Sequence, residues 1–366
     1  MRALFFTMGL LAIGICHAQT ATTASGLDPK QFKQVYEDKP VELYTLTNQN
    51  GMEACVTNFG ARLVSLMVPN REGTLQDVVT GYDNINSYTR FKGGTFGATV
   101  GRYANRISHG RFVLDGATYE LPVRMRRATD GRPHVLHGEL SGFHDHVWSA
   151  IQPDAQTVVL SYLSLDGDGG FPGTLRLTVT YHLNDENALH ITYYATTDRP
   201  TVLNLTNHSY FNLTKLGTTV ADQWLQVNSQ TYTVNDSDVI PTGEFASVAG
   251  TPLDLRKLTQ IGESRFNDNW VLDAAGDLTK EVARAVSKTS GIVMQVYTTE
   301  PGLQVYSGIG PMRGGKQGIN YPAQGAFCLE TQHYPDSPNR PEFPSTVLRP
   351  DKPYHSETIY KFLVEK

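Results

Sequence analysis

Two polar side chains in apolar surroundings are candidates for acid–base chemistry. Glu330 follows the apolar run 327–329, and a carboxylate at the end of such a run is partly desolvated. Desolvation raises the pKa of a carboxyl group toward the range of a general base. His208 lies in the segment 204–213 (NLTNHSYFNL), where amides and hydroxyls alternate with apolar residues. Because buried polar groups need hydrogen-bond partners, this density predicts a hydrogen-bonding site.

Each of these residues also fits a purely structural role. A histidine on a strand is commonly a satisfied core residue, and a glutamate at a strand end commonly faces water. His208 and Glu330 are more than a hundred residues apart, so their spacing alone does not pair them.

A third candidate, His137, lies between an apolar pair and Gly138 in a histidine-rich stretch. His-x-His spacing can place two metal ligands on one strand face. The stretch contains, besides His137, four potential ligands: His134, His144, Asp145 and His146. No carboxylate follows at ligand spacing, and such a loop is more often solvated, so we expect no metal site here.

The elements that must position these residues are strands. Residues 175–183 alternate apolar and polar side chains with period two, which is typical of a strand with one wet face. The pattern resumes at 189–193 after the turn 184–187, and a second hairpin joins 282–286 to 292–297. Further strands are predicted at 41–47, 52–68, 157–164, 201–206 and 357–364, with only short helical turns near 84–91. The fold class is therefore all-β, as one large antiparallel domain.

The N-terminus has the pattern of a secretory signal peptide over residues 1–18. Arg2 supplies a positive charge, residues 4–15 are apolar, and Ala18 provides a small residue for cleavage. An apolar run of about 12 residues is short of the about 20 that span a membrane. We expect residues 19–35 to form a flexible leader and 36–366 the domain. The expected location is the periplasm or the exterior, without a membrane partner after cleavage; an uncleaved anchor helix is the alternative.

The composition excludes several partners. A net charge of −5 over 366 residues gives no electrostatic support for nucleic-acid binding. Cys55 and Cys328 lie in apolar runs, where cysteine behaves as a small buried hydrophobe. A single long-range disulfide between them is the other interpretation. Nothing in the sequence predicts an oligomeric state.

Six motifs in order resemble the aldose 1-epimerase, or galactose mutarotase, family. They are 101–107 (GRYANRI), 136–138 (LHG), 204–213, 250–255 (GTPLDL), 301–304 (PGLQ) and 327–332 (FCLETQ). The resemblance covers about residues 36 to 366 and implies a β-sandwich with a sugar cleft on a concave sheet face. It also implies a monosaccharide substrate, no cofactor, and interconversion of the α and β anomers of an aldohexose.

The resemblance implies a role for each matched residue. Glu330 corresponds to the general base, His208 to the general acid, and His137 to a second histidine near the ring oxygen. The positions expected to hold sugar hydroxyls are Asn105, Arg106, Asp254 and Gln304. The chain departs from the family at 266–270 (FNDNW), where an aromatic-Asp-His-Asn-aromatic pattern is usual. A bell-shaped pH profile is expected, with the lower limb from Glu330 and the upper limb from His208.

Two other classes remain as alternatives. A non-catalytic carbohydrate-binding sandwich would share the fold without needing both Glu330 and His208. Another sugar enzyme of the same fold, such as one acting on phosphorylated sugars, would need more basic residues in its cleft. A glycosidase would use two carboxylates rather than a histidine and a glutamate.

Overall fold

The computed structural model describes residues 22–90, 92–123, 131 and 133–365. The expected signal peptide therefore lies outside the described residues. The structure is nearly all β, with 44% of residues in strands and 8% in helical segments. Within the described ranges, we find no helix with the length and apolarity needed to cross a bilayer.

The strands of the first half of the chain are β1 (Gln34–Tyr36), β2 (Lys39–Val41), β3 (Leu43–Thr47), β4 (Glu53–Thr57), β5 (Arg62–Pro69), β6 (Leu75–Asp77), β7 (Ala98–Val100), β8 (Arg106–Ile107), β9 (Arg111–Leu114), β10 (Ala117–Glu120), β11 (Val135–Leu136), β12 (Ser149–Ile151), β13 (Thr157–Ser164) and β14 (Leu175–Leu183).

The strands of the second half are β15 (Ala188–Thr197), β16 (Thr201–Val202), β17 (Thr206–His208), β18 (Trp224–Val227), β19 (Thr231–Asn235), β20 (Pro241–Ser247), β21 (Thr259–Gln260), β22 (Asn267–Val271), β23 (Ala283–Val286), β24 (Ile292–Thr298), β25 (Gly302–Tyr306), β26 (Cys328–Gln332), β27 (Val347–Leu348) and β28 (Tyr354–Val364).

Helical structure is confined to short segments. The α-helix α1 (Ile85–Arg90) lies in the region where a helical turn was predicted. The described 3-10 turns are Pro29–Phe32, Ser108–Gly110, Glu139–Ser141, Phe143–Asp145, Asp168–Gly170, Lys316–Gly318 and Ser337–Asn339.

A nine-stranded antiparallel sheet forms one layer, in the order β12-β13-β14-β15-β28-β24-β23-β18-β21. Strand β14 of this sheet buries every odd-numbered side chain from Leu175 to Leu183 and leaves the alternate residues at least partly exposed. Both predicted hairpins, β14–β15 and β23–β24, are confirmed, since their strands pair antiparallel. The period-two pattern therefore predicted two of the hairpins from which this layer is built.

Two smaller sheets complete the sandwich: β20-β19-β22-β25-β26 and β3-β4-β5-β6. One contiguous core of buried apolar residues joins them to the nine-stranded sheet, including Trp270 of β22, Val68 of β5 and Tyr360 of β28. The pairs β7–β17 and β8–β11 form separate two-stranded ladders and bring His208 and Arg106 into ordered backbone positions.

The prediction of a flexible leader over residues 19–35 is wrong for the part that the structure describes. Leu27 and Phe32 are 1% and 0% exposed, and both belong to a buried apolar cluster with Tyr88. The backbone N–H of Ala24 donates to Glu53 Oε2 at 2.9 Å. Small polar neighbours dominate the composition of this segment, but two large apolar side chains are enough to dock it. The cysteine prediction holds, because Cys55 and Cys328 are free and buried.

Candidate active site

A cleft of about 450 Å³ brings together six of the seven residues that the sequence singled out. They are Asn105, Arg106, His137, His208, Gln304 and Glu330. These residues come from five separate parts of the chain, so only the fold could place them side by side.

Glu330 lies at the centre of β26, directly opposite Gln304 of β25. Every residue of β26 is buried, and Glu330 is only 2% exposed. Burial raises the pKa of Glu330 to about 8, and the nearby charge of Arg106 opposes this shift. Its Oε2 atom makes no hydrogen bond of good geometry within the described structure. The expectation of a desolvated carboxyl group with a raised pKa agrees with this environment.

His208 ends β17, which pairs with β7 through Ala98. Its Nε2 lies 3.5 Å from Glu330 Oε2, so the residues expected to act as general acid and general base are in contact. Burial lowers the pKa of His208 to about 3, and the positive charge of Arg62 adds to this effect. The imidazole ring stacks on Tyr210, with ring centroids 4.7 Å apart and an interplanar angle of 10°.

His137 follows β11 and faces His208 edge to face, with ring centroids 5.1 Å apart. The backbone N–H of Asn105 donates to His137 Nδ1 at 3.2 Å, and the backbone N–H of His137 donates to Asn105 O at 3.0 Å. Because Nδ1 accepts a hydrogen bond, the neutral ring carries its proton on Nε2. His137 is therefore a fixed hydrogen-bond donor rather than a free base.

The turn after His137 depends on Gly138. This residue has φ +77°, and a Cβ at this position would lie 2.4 Å from the carbonyl oxygen of Gly101. A side chain here would force the loop away from the segment that carries Asn105 and Arg106. The LHG motif thus combines a cleft histidine with a glycine whose backbone conformation and lack of a side chain permit this turn.

Arg106 and Gln304 both line the cleft wall. Arg106 Nη1 donates to Asn105 Oδ1 at 3.3 Å. Gln304 Nε2 donates to Asn267 Oδ1 at 3.1 Å, which orients the amide of Gln304. The atypical segment 266–270 therefore reaches the cleft through Asn267, an uncharged amide.

The structure does not bring Asp254 to this cleft. Its carboxylate receives two hydrogen bonds from Arg256, from Nε and Nη2 at 2.8 Å each, in an exposed turn. This guanidinium holds the pKa of Asp254 well below its usual range. Asp254 matched a motif in the sequence, but its ion pair stabilises the turn rather than facing a ligand.

The histidine-rich stretch does not act as a unit. His134 contacts Asp238 at 4.0 Å, whereas His146 Nδ1 lies 3.0 Å from Glu37 Oε1. In the described part of the chain, the potential metal donors that lie close together form a different group: one ligand atom each from His137, His208 and Glu330, all within 4.8 Å of one another. The fixed N–H of His137 argues against metal ligation through its Nε2 atom.

Several cleft residues were missed by the sequence analysis. Tyr210 and Asn267 lie within quoted motifs, but neither has a side chain that signals acid–base chemistry. The others are Lys92, Thr95, Glu139 and Tyr306. Lys92 and Thr95 come from the loop between α1 and β7, which has no periodic pattern that could have placed it.

The fold and the cleft define an all-β sandwich that carries a buried acid–base pair beside polar groups suited to a small polyol. A family model described as aldose 1-epimerase matches residues 42–361. The chain belongs to the aldose 1-epimerase family.

Named relatives agree over most of the chain. It is 39% identical to a galactose mutarotase of Rattus norvegicus, across 84% of this chain and 90% of the relative. It is 36% identical to an aldose 1-epimerase of Escherichia coli K12, across 90% and 97%. The solved structure of an aldose epimerase homologue from C. elegans superposes with a TM-score of 0.82 at 31% identity, covering 89% of this chain and 100% of that one.

The pH dependence should differ from that expected from the sequence. Below the pKa of His208 both groups are protonated and no base remains, whereas above the pKa of Glu330 both are deprotonated and no acid remains. We therefore predict an acid limb that follows His208 and an alkaline limb near pH 8 that follows Glu330, the reverse of the earlier assignment. Because the two groups are in contact, the pKa values read from the two limbs belong to the coupled titration of the pair.

This prediction is checked by measuring kcat/KM against pH, with the spontaneous rate subtracted. A ¹³C NMR titration of the Glu330 carboxyl group in the same protein provides the comparison. An alkaline limb that does not coincide with this titration would contradict the assignment.

Proposed function

We propose that the protein interconverts the α and β anomers of free aldohexoses such as glucose and galactose, with Glu330 and His208 as the acid–base pair. The observation that carries this proposal is the 3.5 Å contact between His208 Nε2 and Glu330 Oε2 in a sugar-sized cleft. At neutral pH this pair holds one proton, because the pKa of Glu330 lies near 8 and that of His208 near 3.

Ring opening requires two proton movements. A carboxylate at Glu330 removes the proton of the C1 hydroxyl, while an imidazolium at His208 protonates the ring oxygen. The bond between C1 and the ring oxygen breaks and the C1 carbonyl forms, so the pair gains and loses one proton. Moving the shared proton from Glu330 to His208 produces this reactive arrangement without changing the charge of the site.

Reclosure uses the same groups in reversed roles. After rotation about the C1–C2 bond, the ring hydroxyl attacks the other face of the aldehyde. His208 accepts the hydroxyl proton, and Glu330 returns a proton to the C1 oxygen. Positioned proton transfer of this kind contributes about 10²–10⁴-fold to a rate.

The remaining cleft residues hold the sugar. His137 donates its Nε2–H to an oxygen near the ring, because Asn105 fixes the opposite ring nitrogen as an acceptor. Arg106 and the amide of Gln304 face the same cavity and suit hydroxyl groups away from C1. These contacts keep the open chain in place between opening and reclosure.

Substitution of either member of the pair should abolish most of the activity. We expect Glu330→Gln and His208→Asn each to lower kcat about 10²–10⁴-fold, or about 3–5 kcal/mol of barrier, because each removes one proton-transfer group. The double variant should be little worse than either single one, since both groups act in one step.

Polarimetry on freshly dissolved α-galactose and α-glucose measures this loss. The exposed residues Glu244 of β20 and His355 of β28 supply matched controls, Glu244→Gln and His355→Asn, with expected wild-type rates. A Glu330→Gln variant that keeps more than about a tenth of its rate would remove Glu330 from the acid–base role. Wild-type protein that binds sugar without accelerating mutarotation would favour the binding-module alternative.

Activity should survive removal of metal ions. The pair supplies every proton transfer that the proposed reaction needs, so no metal ion is required. Asn105 also keeps His137 in the tautomer that carries hydrogen on Nε2. We expect an unchanged polarimetric rate after exhaustive dialysis against EDTA. Loss of turnover that zinc or manganese restores would identify His137, His208 and Glu330 as a metal site.

We also propose that the protein is exported and begins at or near Gln19. The support is the pattern of Arg2, the apolar run 4–15 and Ala18. Expression in a bacterium that carries out Sec-type export, followed by N-terminal sequencing of the soluble fraction, should give a start near Gln19. An intact Met1 on soluble protein would overturn this proposal.

A further inference from the structure

The orientation of the His208 ring is not fixed in the usual way. A catalytic imidazole is commonly held by a hydrogen bond from one ring nitrogen to a carboxylate or a backbone carbonyl. Here Nε2 faces Glu330, whereas the buried Nδ1 makes no hydrogen bond of good geometry to any other residue within the described structure, and only the backbone of His208 itself interacts with the ring in this way. Another contact must therefore hold the plane of the ring.

That contact is the face of Tyr210. The two rings are nearly parallel, at 10°, with centroids 4.7 Å apart. Tyr210 is itself held from two sides: Phe96 packs edge-on at 4.6 Å, and Thr95 Oγ1 lies 3.2 Å from the tyrosine hydroxyl. These contacts hold the Tyr210 ring in a fixed orientation against the face of the imidazole.

The Tyr210 ring also affects the stability of the charged form of His208. The groups that face this imidazole are Glu330, His137 and Tyr210, and the buried guanidinium of Arg62 acts on it through its charge. Burial and Arg62 both disfavour the imidazolium that ring opening requires. A cation against the face of an aromatic ring is stabilised by the ring quadrupole.

We propose that Tyr210 is a positioning residue that orients His208 by stacking and stabilises its imidazolium form during proton transfer. The inference rests on the proposed acid role of His208. Tyr210 acts through the imidazole and needs no contact with the sugar for this effect.

The test compares two substitutions at Tyr210. Tyr210→Phe keeps the stack and loses only the contact with Thr95, so kcat should stay within about threefold of wild type. Tyr210→Leu removes the aromatic face, and kcat should fall about 2- to 30-fold, the range expected for a cation–π interaction. KM should change less than kcat, and the acid limb of the pH profile should move downward by about 0.4 to 1.5 in pH.

A second cleft aromatic provides the matched control. Tyr306 lines the same cavity and lies edge-on to Tyr210 at 6.5 Å. Tyr306→Leu should leave the acid limb in place, whatever its effect on KM. Equal displacement of the acid limb in Tyr306→Leu and Tyr210→Leu would overturn the proposal, since any loss of apolar packing would then have the same effect.

Two further measurements keep the test decisive. Fluorinated phenylalanines at position 210 preserve the ring shape while weakening its quadrupole, and kcat should fall stepwise with each added fluorine. A flat series would overturn the charge role. NMR titration of His208 without sugar should show a lower pKa in Tyr210→Leu, and an unchanged pKa would overturn the proposal even if His208→Asn confirms the acid role.

Discussion

The contact between Glu330 and His208 is the constraint on which the arrangement of the cleft depends. Burial alone would leave a carboxylate and an imidazolium as two costly charges. It instead raises the pKa of the acid and lowers that of the base, so the resting pair is neutral and holds one proton. A neutral pair can remain buried while it keeps the one proton that the proposed reaction requires.

Holding that contact requires strands that are distant in the chain to be fixed beside one another. Asn204 makes this connection with its backbone and its side chain. Its Oδ1 accepts the N–H of His333 at 2.9 Å, and its Nδ2 donates to His333 O at 3.0 Å. Its backbone N–H donates to Arg102 O at 3.0 Å, while its carbonyl accepts from Ala104 N at 2.8 Å. One buried amide therefore joins the segments that lead to Asn105, His208 and Glu330.

The sequence predicted the strands well because burial on one face leaves a period of two. The alternation from Leu175 to Leu183 required no tertiary information, since each side chain reports its own environment. The same reasoning did not predict the burial of Leu27 and Phe32, because these side chains pack against residues that are distant in the chain, including Tyr88 of α1. The predicted role of Asp254 in the cleft failed for the opposite reason, because a motif match does not show that a neighbouring side chain, Arg256, binds the carboxylate.

For the site itself, the sequence indicated which residues to consider but not their protonation states. The surroundings of Glu330 and His208 in the chain made both residues candidates, and the family resemblance implied their roles, but neither could show which limb of the pH profile each residue would control. That order follows from mutual distance and burial, which only the folded structure supplies. Once both pKa values move past each other, the carboxyl group becomes the proton holder and the imidazole the proton acceptor at rest.

This inversion suits a reaction that runs in both directions. Anomer exchange opens a ring and closes it again, so each group must serve as acid in one half and as base in the other. A site with a permanently charged pair would favour one half of the cycle. In the neutral pair, one proton shift across the 3.5 Å contact prepares ring opening, and opening itself leaves both groups in the protonation states that reclosure uses. The sandwich needs only to keep the two side chains facing each other. The rigid strands β17 and β26, rather than a closing loop, carry both groups, and this is why the acid–base geometry can exist before a sugar binds.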